Sequence, residues 1–303
     1  MSKIFDMLNK SEGEIADLVR PLAKPQSAVP AMKTAVAEPA EPPAEEPPAN
    51  APPPRTHALG MQIAASSPVL PFDEGQWRPG EQYRILRTKL IQHPKQPHMI
   101  VVSSPAAGDG KTVTAINTAG ALALKDDGKV LLIDADMRRS SVHVQLGLPQ
   151  SPGLADVLTG TCTLDQAIVQ TQEFPNLYVI PSGSAVMNPV ELLDSSRWPA
   201  LCEQLRKQFR FVVLDCPPVS AVADYDLILA ACDGVLLVLR PDHTHRQLCR
   251  RALETIPKAK LLGVLMNCVP DGPMGGPTRS DYYYYYNSSS GTGRPTRNRP
   301  TSV

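Results

Sequence analysis

One stretch of small residues carries a lysine and a threonine at a spacing that suits phosphate binding. It covers residues 103–112, with an apolar run at 99–102 before it and a helix-compatible run at 113–125 after it. Backbone N–H groups at such a bend can converge on phosphate oxygens, and the start of the helix adds donors and the positive end of its dipole. Lys111 can reach terminal phosphates, and Thr112 can offer a hydroxyl to Mg²⁺.

The general phosphate-binding pattern has a glycine five residues before Gly110, where this chain has Pro105. The alternative is a glycine-containing turn that carries a lysine by chance. The flanking strand and helix favour phosphate binding, because that mechanism needs both. We therefore predict a nucleotide-binding segment made of Ala107, Gly108, Asp109, Gly110, Lys111, Thr112 and Val113.

Three aspartates stand where apolar runs end: Asp134 and Asp136 after one run, and Asp215 after another. Enzymes with a phosphate-binding loop use such aspartates to hold Mg²⁺ or its waters. Alternation along a strand points Asp134 and Asp136 the same way, about 7 Å apart, so one can serve a metal and the other a substrate hydroxyl. A lone strand-end aspartate is usually a cap, but Lys111 and Thr112 in the same chain favour catalysis.

The apolar runs predict an α/β fold in which strands and helices alternate. The strands are continuous Val, Leu and Ile runs, which indicates a mostly parallel central sheet flanked by helices on both faces, the arrangement of a P-loop NTPase. The predicted strands are 99–102, 129–134, 176–181, 211–215, 234–239 and 261–267. The predicted helices are 81–90, 113–125, 152–159, 189–208, 224–231 and 245–255.

Composition divides the 303 residues into four parts. Residues 1–20 form a short docking helix or a leader without a role, two possibilities that the sequence leaves open. Residues 21–71 read as a disordered linker rich in proline, alanine and glutamate, because such a segment cannot form a packed core. The folded domain is predicted at 72–271, and a disordered tail at 272–303.

Charge and apolar patterning exclude several classes of protein. The 30 basic and 30 acidic residues balance, which gives no electrostatic case for nucleic acid. No apolar run approaches the roughly 20 residues that span a bilayer, and no signal peptide opens the chain. Most of the scattered cysteines are expected as reduced core residues of a cytosolic protein: Cys162, Cys202, Cys216, Cys232, Cys249 and Cys268.

Taken together, these residues resemble the bacterial protein-tyrosine kinases (BY-kinases), and among them the kinases of capsule and exopolysaccharide export systems. Residues 103–112, 134–138 and 214–218 match the Walker A, A′ and B motifs of that family. Glu81-x-x-Arg84-x-x-Arg87 matches the oligomerisation motif of the family, and residues 153–158 and 188–193 match other signatures. Five tail tyrosines match the tyrosine-rich tail of the family: Tyr282, Tyr283, Tyr284, Tyr285 and Tyr286.

The resemblance implies ATP and Mg²⁺ as cofactors and assigns roles within the site. Lys111 would neutralise the phosphates, while Thr112, Asp136 and Asp215 would hold the metal. Asp134 would accept the tyrosyl proton. Asn267 would read the adenine, with an ordinary turn residue as the alternative.

The resemblance also implies partners. The tail tyrosines would be phosphorylated by the enzyme itself. Glu81, Arg84 and Arg87 would build a ring-like homo-oligomer, where the residues alone suggest only a solvated helix face with an ion pair. A separate transmembrane polysaccharide co-polymerase would recruit the cytoplasmic chain to the inner face of the membrane, and a protein-tyrosine phosphatase would act on its tail.

Two other functions stay open at this point. A P-loop ATPase of the partition or septum-positioning type would hydrolyse ATP without forming phosphotyrosine. Those relatives carry an extra lysine early in the loop, where this chain has Ser103, Ser104 and Pro105. A catalytically silent regulator would control a membrane partner through its nucleotide state alone.

Overall fold

A computed structural model describes residues 57–63, 67, 69, 77–125, 128–219 and 221–269 of the chain. The predicted docking helix at 1–20, most of the predicted linker and the tyrosine-bearing tail lie outside these residues. None of the helices in the described part is long and apolar enough to cross a bilayer.

The described residues form an eight-stranded sheet in the order β1-β4-β5-β3-β6-β2-β7-β8. Neighbouring strands are parallel except for the antiparallel pair β4–β5, so the predicted mostly parallel sheet is confirmed. The strands are β1 His57–Leu59, β2 Met99–Ser103, β3 Val130–Asp134, β4 Val169–Thr171, β5 Leu177–Ile180, β6 Phe211–Asp215, β7 Gly234–Leu239 and β8 Leu261–Met266.

The helices of the described part are mostly short and join successive strands. They are α1 Trp77–Ile91, α2 Lys111–Ala123, α3 Val142–Leu146, α4 Leu154–Thr159, α5 Leu164–Ala167, α6 Pro189–Leu193, α7 Arg197–Gln208, α8 Asp224–Ala231 and α9 Arg246–Thr255.

Two apolar clusters cover the two faces of the sheet. Alternate residues of β3 divide between them, with Leu131 and Ile133 in one cluster and Val130 and Leu132 in the other. Helices α4, α7, α8 and α9 contribute to the first cluster, and α1, α2 and α3 to the second. Every residue of β2, β3 and β6 is buried, which explains their unbroken apolar sequences.

Several sequence predictions need correction. The linker predicted for 21–71 is wrong at His57–Leu59, where β1 pairs with β4 through backbone groups that no side-chain pattern reveals. The helix predicted for 189–208 is two helices. Asp194, Ser195 and Ser196 separate them, and the Ser195 hydroxyl donates to the carbonyl of Leu192 at 2.6 Å, a local bond that competes with helix continuation.

Burial varies along α1 and among the cysteines. In α1, Leu90 is buried, Tyr83 and Leu86 are half-buried, and Ile85 is exposed. All six cysteines are free, yet only Cys202, Cys216 and Cys232 are buried. Cysteines were expected in the core because their neighbours are apolar, but Cys162 and Cys268 lie outside the helices and strands, and Cys249 lies within α9 and is only half-buried.

The core on the α7 face should depend strongly on Trp198, which is 1% exposed. We expect Trp198→Ala to lower the free energy of unfolding by about 3–5 kcal/mol, because the large side chain leaves a cavity. Urea unfolding measures the change. Leu253→Ala, at a side chain exposed on α9, is the control and should stay within about 0.5 kcal/mol of the parent. Equal losses in both variants would contradict this account of the core.

Candidate active site

The predicted site residues lie at one edge of the sheet. Strands β2, β3 and β6 are neighbours and end together there, with Asp134 opposite Asp215 and Val102 also opposite Asp215 in the strand register. The loop 103–110 leaves β2 at this edge and leads into α2. Parallel strands therefore bring the loop and the aspartates to the same place.

The loop 103–110 presents unpaired backbone donors. Gly108 and Gly110 have φ values of 87° and 91°, a left-handed conformation that suits glycine. Within the described part of the chain, no group accepts a hydrogen bond from the N–H groups of residues 107–112. Such a row of donors before a helix is suited to bind an anion.

Two side chains from neighbouring strand ends hold the carbonyls of this loop. Asn267 Nδ2 donates to the carbonyl of Asp109 at 3.0 Å, and an Arg240 guanidinium nitrogen donates to that of Gly108 at 3.2 Å. These bonds occupy the carbonyl side of the loop and leave its N–H groups available. Asn267 thus lies against the loop, while its reading of adenine stays a prediction.

Asp109 braces the loop with its side chain. Its buried carboxylate accepts hydrogen bonds from the Ala106 N–H at 3.2 Å, the Thr244 hydroxyl at 2.7 Å and His243 Nδ1 at 2.9 Å. Only the backbone N–H of Asp109 can then contribute to the predicted nucleotide contacts. Arg240, His243 and Thr244 were not predicted as site residues. The polar run after an apolar strand marks a strand end, but the contacts that these residues make depend on the strand order.

Lys111 is the cation of the site. Its ammonium lies 2.8 Å from Asp136 Oδ2 and 3.5 Å from Asp215 Oδ1. Burial lowers the pKa of Lys111, but the charges of Asp215 and Asp136 outweigh it, so its pKa is raised and it stays charged. Burial raises the pKa of Asp215, an effect that the attraction of Lys111 only partly offsets.

Thr112 belongs to the same cluster. Its hydroxyl donates to Asp215 Oδ2 at 2.7 Å and accepts from the Ser141 hydroxyl at 3.1 Å. Hydroxyl and carboxylate oxygens are the ligands that Mg²⁺ prefers, and Mg²⁺ usually keeps several waters beside one or two carboxylates. Among the described residues, no three His, Cys, Asp or Glu side chains form a metal-binding group. Thr112, Asp136 and Asp215 therefore fit a magnesium ion that is completed by phosphate oxygens.

Asp134 is hydrogen-bonded to backbone N–H groups and, unlike Asp136 and Asp215, not to Lys111. Its Oδ2 accepts the N–H groups of Ser141 and Val142 at 3.0 and 3.1 Å. Its Oδ1 is buried and has no hydrogen-bond partner in the part of the chain that the structure describes. Burial, helped by the charge of Asp215, raises the pKa of Asp134 to about 7. A carboxyl with that pKa can accept a proton at neutral pH.

The residues predicted for oligomerisation lie on α1, which packs against α2. Arg84 pairs with Glu81 at 3.2 Å, and Arg87 donates to the carbonyl of Ala121 in α2 at 3.3 Å. Their role between subunits stays a prediction. The tyrosines at 282–286 lie outside the described residues.

A glycine-bearing loop between a strand and a helix, closed by a lysine and strand-end aspartates, defines the class of P-loop NTPases. A family model described as an AAA domain matches residues 97–262. The chain is 34% identical over 203 residues to the tyrosine-protein kinase YwqD of Bacillus subtilis, covering 66% of this chain and 85% of YwqD. It is 35% identical over 193 residues to CpsD of Streptococcus pneumoniae serotype 4, covering 62% and 83%.

Solved structures agree with these sequence matches. The chimerical protein CapA2B2 aligns with a TM-score of 0.64 at 30% identity, covering 71% of this chain and 96% of that one. The kinase domain of the Escherichia coli tyrosine kinase ETK aligns with a TM-score of 0.55 at 26% identity, covering 65% and 79%. The chain belongs to the bacterial tyrosine-protein kinase family.

The backbone of the loop should tolerate no side chain at Gly110. A Cβ there would lie 2.0 Å from Asn267 Nδ2, and φ is 91°. We expect Gly110→Ala to lower the free energy of unfolding by about 1–3 kcal/mol. Gly263→Ala is the control, because its Cβ would meet Leu236 at an ordinary 3.7 Å. Thermal and urea unfolding measure both variants. If the two glycines behaved alike, the loop geometry described here would be wrong.

Proposed function

We propose that this chain is an ATP-dependent protein-tyrosine kinase that phosphorylates its own tail tyrosines, Tyr282–Tyr286. The observation that carries the proposal is the unpaired N–H row of the loop, closed by Lys111 and bordered by Asp134, Asp136 and Asp215. Membership of the tyrosine-kinase family supports tyrosine, and not water, as the phosphate acceptor.

In this mechanism the chain binds and orients the triphosphate. The N–H groups of 107–112 surround the phosphate oxygens, and Lys111 moves from Asp136 to the β- and γ-oxygens. Thr112, Asp136 and Asp215 would hold magnesium. When bound, that ion neutralises charge on the β- and γ-phosphates. Positioning and charge neutralisation supply most of the rate increase.

The acceptor tyrosine must lose its proton. A free tyrosine hydroxyl has a pKa near 10, so it needs a base at neutral pH. Asp134 takes this proton while the tyrosyl oxygen forms the new bond to the γ-phosphorus, and ADP leaves with the electrons of the broken P–O bond. The unpartnered Asp134 Oδ1 supports this role, because a base needs a free lone pair.

Membership of the family also supports a proposal about the partners of this chain. We propose a ring-like homo-oligomer through Glu81, Arg84 and Arg87, so that one subunit can modify the tail of another. CpsD-type names among the relatives support a role in capsule or exopolysaccharide systems. A separate transmembrane co-polymerase would recruit the cytoplasmic chain to the membrane, and a protein-tyrosine phosphatase would reset the tail.

Labelled ATP tests the activity directly. Purified protein is incubated with labelled ATP and Mg²⁺, and mass spectrometry maps the label. We expect phosphate on Tyr282–Tyr286, and we expect Lys111→Met to abolish it, because the bound phosphates lose their nearest cation. Lys207→Met, at an exposed lysine of α7, should keep the label. ATP hydrolysis without phosphotyrosine would instead favour an ATPase of the partition type.

The rate of phosphotyrosine formation should depend on pH through Asp134. Its pKa of about 7 means that the carboxyl is ionised above neutral pH and becomes protonated, and unable to accept a proton, as pH falls. We expect the rate at saturating ATP to fall about tenfold per pH unit below that pKa. Initial rates measured across neutral pH check this.

Asp134→Asn is the control for the pH profile. It should lose about 10²–10⁴-fold in rate and show no such pH dependence, because the base is gone. A parent profile that stays flat from about pH 5.5 to 8.5, spanning the Asp134 pKa, would exclude Asp134 as the base.

A further inference from the structure

A two-bond ion pair lies beside the site and takes no direct part in the mechanism above. Arg138 Nε donates to Asp224 Oδ2 at 2.8 Å, and Arg138 Nη2 donates to Asp224 Oδ1 at 3.0 Å. The Asp224 side chain is 1% exposed, and the Arg138 side chain is 38% exposed. The pair joins the turn after β3 to the first residue of α8, across 86 residues of sequence.

The turn that Arg138 anchors also carries Asp136. Asp136 Oδ1 accepts the N–H of Arg139 at 3.1 Å, and its Oδ2 accepts Lys111 at 2.8 Å. When Lys111 moves to a phosphate, Asp136 loses the second of these bonds. The position of Asp136 then depends on the turn that carries it, and that turn is held by Arg138.

Asp224 is fixed on its own side. The segment between β6 and α8 bonds to the start of the phosphate loop: the Ser103 hydroxyl donates to the carbonyl of Pro217 at 2.6 Å, and the Val219 N–H donates to the carbonyl of Ser104 at 2.9 Å. Asp224 therefore follows a segment that is hydrogen-bonded to the phosphate loop. Through Arg138, the turn that carries Asp136 is connected to the same segment.

We propose that Asp224 is a positioning residue which, through Arg138, holds the Asp136 carboxylate where a nucleotide-bound magnesium ion needs it. The inference rests on the magnesium–nucleotide site of the proposed function. The two parallel hydrogen bonds between the Arg138 guanidinium and the Asp224 carboxylate fix both the distance and the orientation of the two groups. A single contact from a lysine would fix only the distance. Residues that orient a metal ligand in this way typically change metal affinity by about 10- to 100-fold when they are altered.

The chain offers a matched ion pair that should lack this effect. Arg206 and Asp233 also form two bonds, at 2.8 and 2.9 Å, across 27 residues. Asp233 additionally accepts the N–H groups of His98 and Met99, at the entry of β2 and so at the opposite edge of the sheet. Loss of either pair should reduce stability, but only loss of the first should change the magnesium requirement.

The test measures ADP binding to the full chain by calorimetry at increasing Mg²⁺ concentration. We expect Asp224→Asn to raise the Mg²⁺ concentration for half-maximal ADP binding about 10-fold or more, and to leave ADP binding without Mg²⁺ unchanged. Asp233→Asn should bind with the parent's Mg²⁺ requirement. Thermal unfolding of both variants separates stability from the magnesium effect.

Arg138→Lys provides a second variant if Asp224→Asn does not fold. It keeps the charge but loses the fork, so it should also raise the Mg²⁺ requirement. The inference is overturned if the folded variants of Arg138 or Asp224 need no more Mg²⁺ than the parent, or if Asp233→Asn shows the same rise. If the parent itself shows no Mg²⁺-dependent ADP binding, the proposed function fails first, and the inference fails with it.

Discussion

The site depends on one half-buried ammonium group among carboxylates. Lys111 lies between Asp136 and Asp215, with Asp134 next to Asp215 across the strand register. Buried carboxylates without a counter-charge are costly, so Lys111 stabilises the meeting of these strand ends. A γ-phosphate that draws the lysine away would leave these carboxylates without their counter-charge, which supports the proposal that the nucleotide binds together with magnesium.

A second constraint comes from the order of the strands. Because β7 lies beside β2 and β8 beside β7, the polar residues that follow them reach the phosphate loop. Arg240 and Asn267 bind its carbonyls, and Thr244 binds Asp109. The loop is thus held from outside by residues more than 130 positions away in sequence, and its donors stay directed inward before any ligand arrives.

This arrangement also explains which strands and contacts could be predicted from the sequence and which could not. Continuous apolar runs predicted β2, β3 and β6 because burial on both faces leaves a strong signal. The three-residue strand β1 left none, because it is defined by backbone pairing with β4. The lysine and the aspartates were predictable from local motifs. The contacts of Thr244 and Arg240 were not, because they exist only once the strand order is known.

The contact of Asn267 with the phosphate loop has a consequence for whatever follows in the chain. Val269 lies two residues after Asn267, and 12 residues separate Val269 from Tyr282. Tyr282 can therefore lie at most about 45 Å from Val269, the distance that a fully extended chain reaches. A tyrosine on so short a tether meets nearby sites at an effective concentration on the order of millimolar. A kinase that acts on this tail, as proposed, would not need tight affinity for its acceptor, and the phosphorylated tail could dissociate readily.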